Sequence, residues 1–264
     1  MPSPNFLCIG AQKSGTTLLY SLVRQINDIY LPSVKELHYF DDDIAYAQGL
    51  QWYQDTYFSE SSHYIRRGEI TPSYMYIQKS AERIYNDLGK DVKFIVILRN
   101  PIERAYSHYV MKYQTKEEIH SFNDALILES SRSKDKRFAY VKRGLYAEQI
   151  EHYFKFFDRK NFLFLEFDYF TENQDASMKE ICDFLGVEKK VAFKNKTVHN
   201  SKLTLKERFE FSLLNSNFNA SLLLPKNGYP DMSASHKKVL QECFVKDIEK
   251  LKDITGKDFS SWLQ

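Results

Sequence analysis

Between a short apolar run, Asn5-Phe6-Leu7-Cys8-Ile9, and a stretch of helical apolar spacing from Thr16 to Val23, the chain carries Gly10-Ala11-Gln12-Lys13-Ser14-Gly15-Thr16-Thr17. Two of only nine glycines bound this loop, and it also holds a lysine and three hydroxyls. The pattern predicts a buried strand, a tight loop and a helix whose first amides face the loop. Such a helix start, reinforced by the helix dipole, is an anion site, and phosphate is the natural occupant. The alternative is that Gly10 and Gly15 only shape a tight strand-to-helix turn. The Walker pattern nearly fits, but Thr16 follows Gly15 and the lysine stands two positions before that glycine instead of after it. That shift speaks against an ordinary ATPase or GTPase.

A second buried strand is predicted over Lys93-Phe94-Ile95-Val96-Ile97-Leu98, leading into Arg99-Asn100-Pro101. There Asn100 can cap a helix that opens on Pro101 and runs through Arg104, Ser107, His108 and Met111. A third strand, within Asn161 to Phe167, follows an amphipathic stretch from Leu145 to Phe157. Asp175 to Leu185 reads as a helix ended by Gly186, and Ser233 or Ser235 opens a long helix closing near Gly256. Lys189 to Leu205 is polar and basic and reads as a loop. Strands alternating with helices imply an α/β fold with a mostly parallel central sheet. No repeat or Pro/Gly/Ser linker divides residues 1–264, so one domain is expected.

Arg99 falls at the end of a buried strand, the usual ligand edge of a parallel sheet, and Ser107 lies about two helical turns further on. An arginine fork with a hydroxyl suits a second phosphate group. The net charge of +2 supplies no basic excess of the kind that coats DNA or an anionic membrane, so an anion must meet a local donor cluster. The three cysteines form no CxxC pair, and no two histidines show H-x-x-x-H or H-E-x-x-H spacing, so neither a disulfide framework nor a metal is implied. No signal-peptide pattern opens the chain, and no apolar run approaches the roughly 18 residues needed to span a bilayer. A soluble cytoplasmic protein is expected.

Together these residues resemble the sulfotransferases that use 3'-phosphoadenosine 5'-phosphosulfate (PAPS). Gln12-Lys13-Ser14-Gly15-Thr16-Thr17 looks like their 5'-phosphosulfate motif, and Leu98-Arg99-Asn100-Pro101 through Ser107 like their 3'-phosphate motif, with Arg99 and Ser107 as contacts. The resemblance continues in Lys35-Glu36-Leu37-His38-Tyr39-Phe40, in Gly68-Glu69-Ile70-Thr71-Pro72-Ser73-Tyr74, and in the ending Ile254 to Leu263. These signatures occur in order across nearly the whole chain, and the heparan-sulfate-type carbohydrate branch is the nearest match.

The resemblance implies a P-loop-like α/β fold and transfer of a sulfuryl group from PAPS to a hydroxyl or amine of a carbohydrate or glycan, without a metal. Lys13 then supplies charge at the leaving phosphate oxygen, and the family's glutamate base falls on Glu36. His38 matches a substrate-site histidine, orienting the acceptor or acting as base; if the segment is extended, Glu36 and His38 point the same way. Glu69 is either a helper carboxylate or a structural hydrogen-bond acceptor. The last phosphate-contact loop falls near Lys202, or alternatively near Lys226. Ser131 to Arg137 is a solvated charge run or the lining of a groove for an anionic glycan. The rival readings are a P-loop-type kinase using ATP, which would need an acidic Mg²⁺ ligand, and a catalytically silent nucleotide-binding module.

Overall fold

The computed structural model describes residues 2–193 and 232–264. In chain order the elements are β1 (Phe6–Gly10), α1 (Thr16–Val23), β2 (Ile29–Tyr30), α2 (Asp43–Tyr46), α3 (Gly49–Tyr57), β3 (Arg66–Ile70), α4 (Lys79–Leu88), β4 (Lys93–Leu98), α5 (Pro101–Gln114), α6 (Phe122–Leu128), α7 (Tyr146–Tyr153), β5 (Phe162–Glu166), α8 (Phe167–Glu172), α9 (Gln174–Leu185) and α10 (Ala234–Thr255). Among the described residues, five strands form one parallel sheet in the order β2-β3-β1-β4-β5. The chain thus has the α/β fold with a parallel central sheet that was expected. It groups into two compact units, one of residues 2–100, 145–193 and 246–264, the other of residues 101–144 and 232–245.

The first unit contains the whole sheet. Its strands obey a period of two. Phe6, Cys8, Ile70, Ile95, Ile97 and Leu165 pack with Leu19, Leu22 and Val23 of α1 and with Met178, Ile181, Cys182 and Leu185 of α9. On the other face Phe94 stacks on Phe162 with ring centroids 4.7 Å apart and meets Phe157 edge-on at 4.7 Å. Tyr146 and Tyr153 of α7 are buried, as expected of helix core. The C-terminal edge of β1, β3, β4 and β5 is where the connecting loops gather. The link from β3 to β4 crosses from one side of β1 to the other, which makes that edge the expected ligand crevice of an open parallel sheet.

β3 is a strand without an apolar signature, reading Arg-Arg-Gly-Glu-Ile. Its arginines serve as carbonyl clasps: Arg66 Nε donates to the carbonyl of Leu185, and Arg67 donates to the carbonyls of Ser3 at 2.9 Å and Tyr64 at 2.8 Å. Gly68 lies under the Phe6 ring, and a Cβ there would come within 2.4 Å of it, so only glycine fits. Near the chain's end, Asp247 on α10 accepts hydrogen bonds from the Tyr146 amide at 2.7 Å and the Ala147 amide at 3.0 Å, capping α7 from a distant segment. The Tyr146 hydroxyl in turn donates to the Arg99 carbonyl at 2.9 Å.

The second unit is built around α5 and α6. Glu118, 1% exposed, accepts from Arg132 and from the Tyr140 hydroxyl, each at 2.9 Å, so one buried carboxylate meets a cation and a hydroxyl. Glu129 accepts from the amides of Val141 at 2.8 Å and Lys142 at 3.0 Å. The charge run is therefore largely paired within the unit: Arg132 with Glu118, and Arg137 with Asp135 at 2.7 Å and Glu117 at 3.6 Å. No described helix is long and apolar enough to cross a membrane.

Candidate active site

The loop after β1 has the backbone of an anion cradle. Lys13 (φ 71°) and Gly15 (φ 78°) are left-handed, a conformation that costs glycine nothing. Gly15 is the N-cap of α1, and among the described residues no side chain caps the first-turn amides. These donors therefore face outward from a helix start with the dipole behind them. A Cβ on Gly10 would lie 2.7 Å from Met75 Sδ, and one on Gly15 would lie 3.0 Å from Phe167 Cε2, so both glycines answer to close packing as well as to the turn. The Ser14 hydroxyl and the Gln12 side-chain oxygen are buried with no hydrogen-bond partner among the described residues. Buried polar atoms are seldom left so without a purpose. Thr16 is buried, and Thr17 is exposed.

Arg99, the residue after β4, closes one side of this loop. Its Nη1 donates to the Lys13 carbonyl at 3.2 Å, and its guanidinium lies 4.6 Å over the Phe167 ring. Stack and hydrogen bond together fix the plane of the fork. Ser107 is half-buried on α5, in the second unit. Lys202 and Lys226 lie outside the described residues.

The segment Lys35 to Phe40 is bound to the same edge, the Glu36 amide donating to the Ile70 carbonyl at the end of β3 over 3.2 Å. It is not extended. Glu36 (φ 63°) and His38 (φ 56°) are both left-handed, alternating with Leu37 and Tyr39, which are buried. The chain is pinned by its apolar side chains, and the two polar residues between them are turned outward. Their side chains are 40% and 47% exposed and meet with His38 Nε2 3.8 Å from Glu36 Oε2. The convergence expected of a shared site is thus present, produced by paired left-handed residues instead of strand alternation. Lys35 pairs with the other oxygen of Glu36.

Two residues that sequence reasoning did not single out complete this cluster. Asp41 brings its carboxylate oxygens to 3.1 and 3.0 Å from His38 Nδ1, and Ser73 donates to Asp41 Oδ2. Asp41 directly follows the Lys35–Phe40 signature, which is the signal that would have found it. The hydrogen bond to Asp41 raises the His38 pKa above the ordinary histidine value, against the lowering effect of burial. Burial works against charge on Asp41, yet hydrogen bonds from His38 and Ser73 hold its carboxyl below the usual range.

Glu69, on β3, is 1% exposed. Burial pushes its carboxyl up to about 7, with the hydroxyls of Tyr74 and Tyr53 facing it and opposing the rise. Tyr74 also accepts from the Phe40 amide at 3.3 Å, so Glu69 stands behind the tyrosine that fastens the Glu36 loop.

A family model described as the sulfotransferase domain matches residues 3–252. Among curated proteins, the human heparan sulfate glucosamine 3-O-sulfotransferase 6 (Homo sapiens) is 29% identical over 192 residues, covering 73% of this chain and 55% of that protein. The mouse (Mus musculus) heparan sulfate glucosamine 3-O-sulfotransferase 5 is 24% identical over 259 residues, covering 96% and 72%. The chain spans about half the length of the first of these relatives. Among solved structures, a sulfotransferase from Alicyclobacillus acidocaldarius superposes with a TM-score of 0.80 at 23% identity, covering 100% of both chains. Mouse sulfotransferase SULT7A1 complexed with PAP gives 0.58 at 17%, covering 96% of this chain and 86% of that one. At these identities the structural likeness speaks for the fold.

Proposed function

From the premise that this chain belongs to the sulfotransferase-domain family, we propose that it transfers the sulfuryl group of PAPS to a hydroxyl or amine of a carbohydrate acceptor. The observation that carries this reading is the meeting of Glu36 and His38 at 3.8 Å, on a loop hydrogen-bonded to the sheet edge where the Gly10–Thr17 loop also ends. A carboxylate beside an imidazole, both open to solvent, is suited to taking a proton from an acceptor. The relatives named for heparan sulfate glucosamine support a glycan as that acceptor.

When bound, the donor supplies a sulfuryl group whose departure leaves negative charge on a phosphate oxygen. The uncapped amides of α1 and the hydroxyls of Ser14, Thr16 and Thr17 fit the 5' end of such a molecule, and Lys13 adds a full positive charge there. Arg99 takes the 3'-phosphate through a planar fork already oriented by Phe167. Lys202, or alternatively Lys226, is the further basic contact in this reading. Glu36 removes the acceptor proton, and His38, held by Asp41, orients the acceptor hydroxyl or shares the base's work.

Calorimetric titration with 3'-phosphoadenosine 5'-phosphate and with ATP, each with and without Mg²⁺, tests the donor. Metal-independent preference for the 3'-phosphorylated nucleotide is expected; preference for MgATP would make the protein a kinase, and binding of neither would overturn the PAPS reading. Transfer of labelled sulfate from PAPS to a glycan panel then tests the reaction. Glu36→Gln should lower turnover by about 10²-fold or more with nucleotide affinity unchanged, and unchanged turnover would remove Glu36 as base.

A further inference from the structure

His38 is about half exposed, so packing alone does not fix its ring. What holds it is a buried pair behind it. The side chain of Asp41 is 8% exposed and Ser73 is 9% exposed. Ser73 sits on a segment sewn to the central strand, with the Thr71 amide donating to the Cys8 carbonyl at 3.0 Å and the Met75 amide to the Ile9 carbonyl at 2.9 Å. From that rigid position its hydroxyl donates to Asp41 Oδ2, while its oxygen stands 3.3 Å from His38 Nδ1.

The chemistry of the three groups admits one proton arrangement. An ionised carboxylate only accepts. A hydroxyl whose proton is committed to that carboxylate can only accept from the imidazole. Nδ1 therefore carries a proton, and neutral His38 keeps its lone pair on Nε2, the nitrogen that stands 3.8 Å from Glu36 Oε2. We propose that Ser73 is a positioning residue for the acceptor-activating pair: by locking the Asp41 carboxylate it fixes both the tautomer and the direction of His38, so that Nε2 is presented beside Glu36.

This role rests on reading Glu36 and His38 as the groups that activate the acceptor, but its physical core is a property of the resting protein. The ionisable groups facing His38 are Asp41 and Glu36 on its own loop and Glu69 from β3, with Lys35 pairing Glu36. Removing the Ser73 hydroxyl strips Asp41 of a hydrogen bond that stabilises its charge and strips the Nδ1 proton of a neutral acceptor 3.3 Å away; the carboxylate carries the charge, so its gain in basicity outweighs the lost acceptor and Asp41 holds the His38 proton more tightly.

The test compares Ser73→Ala with Ser73→Thr, which keeps the hydroxyl. Nuclear magnetic resonance of ¹⁵N-labelled histidine, recorded against pH in nucleotide-free protein, reads the tautomer and titration of His38. Steady-state kinetics read turnover and the KM for PAPS, and calorimetry with 3'-phosphoadenosine 5'-phosphate confirms that each variant is folded. In Ser73→Ala, His38 should titrate at higher pH than in wild type, and turnover should fall about tenfold with the KM for PAPS unchanged. Ser73→Thr should return both to wild-type behaviour. An unchanged His38 titration in Ser73→Ala, or equal damage in the threonine variant with normal nucleotide binding, would overturn the assignment. Absence of sulfuryl transfer by the wild-type protein would remove the proposed function but leave the resonance measurement to decide whether Ser73 sets His38.

Discussion

Arg99 donates to the carbonyl of Lys13 across 3.2 Å, so the residue that ends β4 braces the loop that ends β1. The guanidinium's stack on Phe167 fixes the same fork from the other side. Lysine at this position keeps the charge and loses both the plane and the stack. Arg99→Lys should weaken binding of 3'-phosphoadenosine 5'-phosphate about tenfold. Wild-type affinity by calorimetry would detach Arg99 from the nucleotide.

Lys13 stands in a loop whose other donors are backbone amides and hydroxyls, and it supplies the full positive charge of that set. Lys13→Ala should lower turnover with PAPS by about 10²–10³-fold. Survival of activity would take the lysine out of the mechanism.

Gly15 combines a left-handed backbone (φ 78°) with a Phe167 carbon 3.0 Å from where a Cβ would sit. Alanine there meets both conformational strain and a ring that must move. Gly15→Ala should lose about 1–3 kcal/mol of stability, read from the urea midpoint. An unshifted midpoint would mean that the loop relaxes freely.

Glu69 titrates from an ordinary value of 4.5 to about 7 in the fold. The folded state thus holds a proton that the unfolded chain has lost. Stability is fully present below the unfolded value and declines as pH rises toward about 7, by an amount on the order of 3 kcal/mol for this group. Glu69→Gln removes that titration. Its urea midpoint should match wild type near pH 5 and exceed it near pH 8; parallel curves for the two proteins would contradict the buried protonated carboxyl.

The elements legible from sequence are those whose burial is written in apolar residues. β1, β4 and β5 are apolar runs, α1 follows its glycine loop, α5 opens on Pro101, and α9 ends at the left-handed Gly186, all as expected. The long C-terminal helix also falls within its expected bounds. β3 was hidden because its arginines bind carbonyls and its glycine accommodates Phe6, two functions that look like loop chemistry in a linear sequence. β2, of two residues, is too short to show any period. At the site, spacing brought Glu36 and His38 together for the wrong geometric reason, since alternation of buried and outward residues arises in left-handed turns as well as in strands. Asp41 and Ser73 are 32 residues apart, and their meeting depends on how the segment after β3 is sewn to β1, which no local pattern encodes.

Asp247 accepts the first amides of α7 from roughly a hundred positions downstream. A ribosome adding residues in order finishes α7 well before it makes the group that completes the helix's start. Until residue 247 has emerged, Tyr146, whose hydroxyl steadies the Arg99 backbone, begins a helix with open amides. The backbone at Arg99 therefore gains this support only after residue 247 is made, although the loop that Arg99 braces precedes that residue by more than two hundred positions.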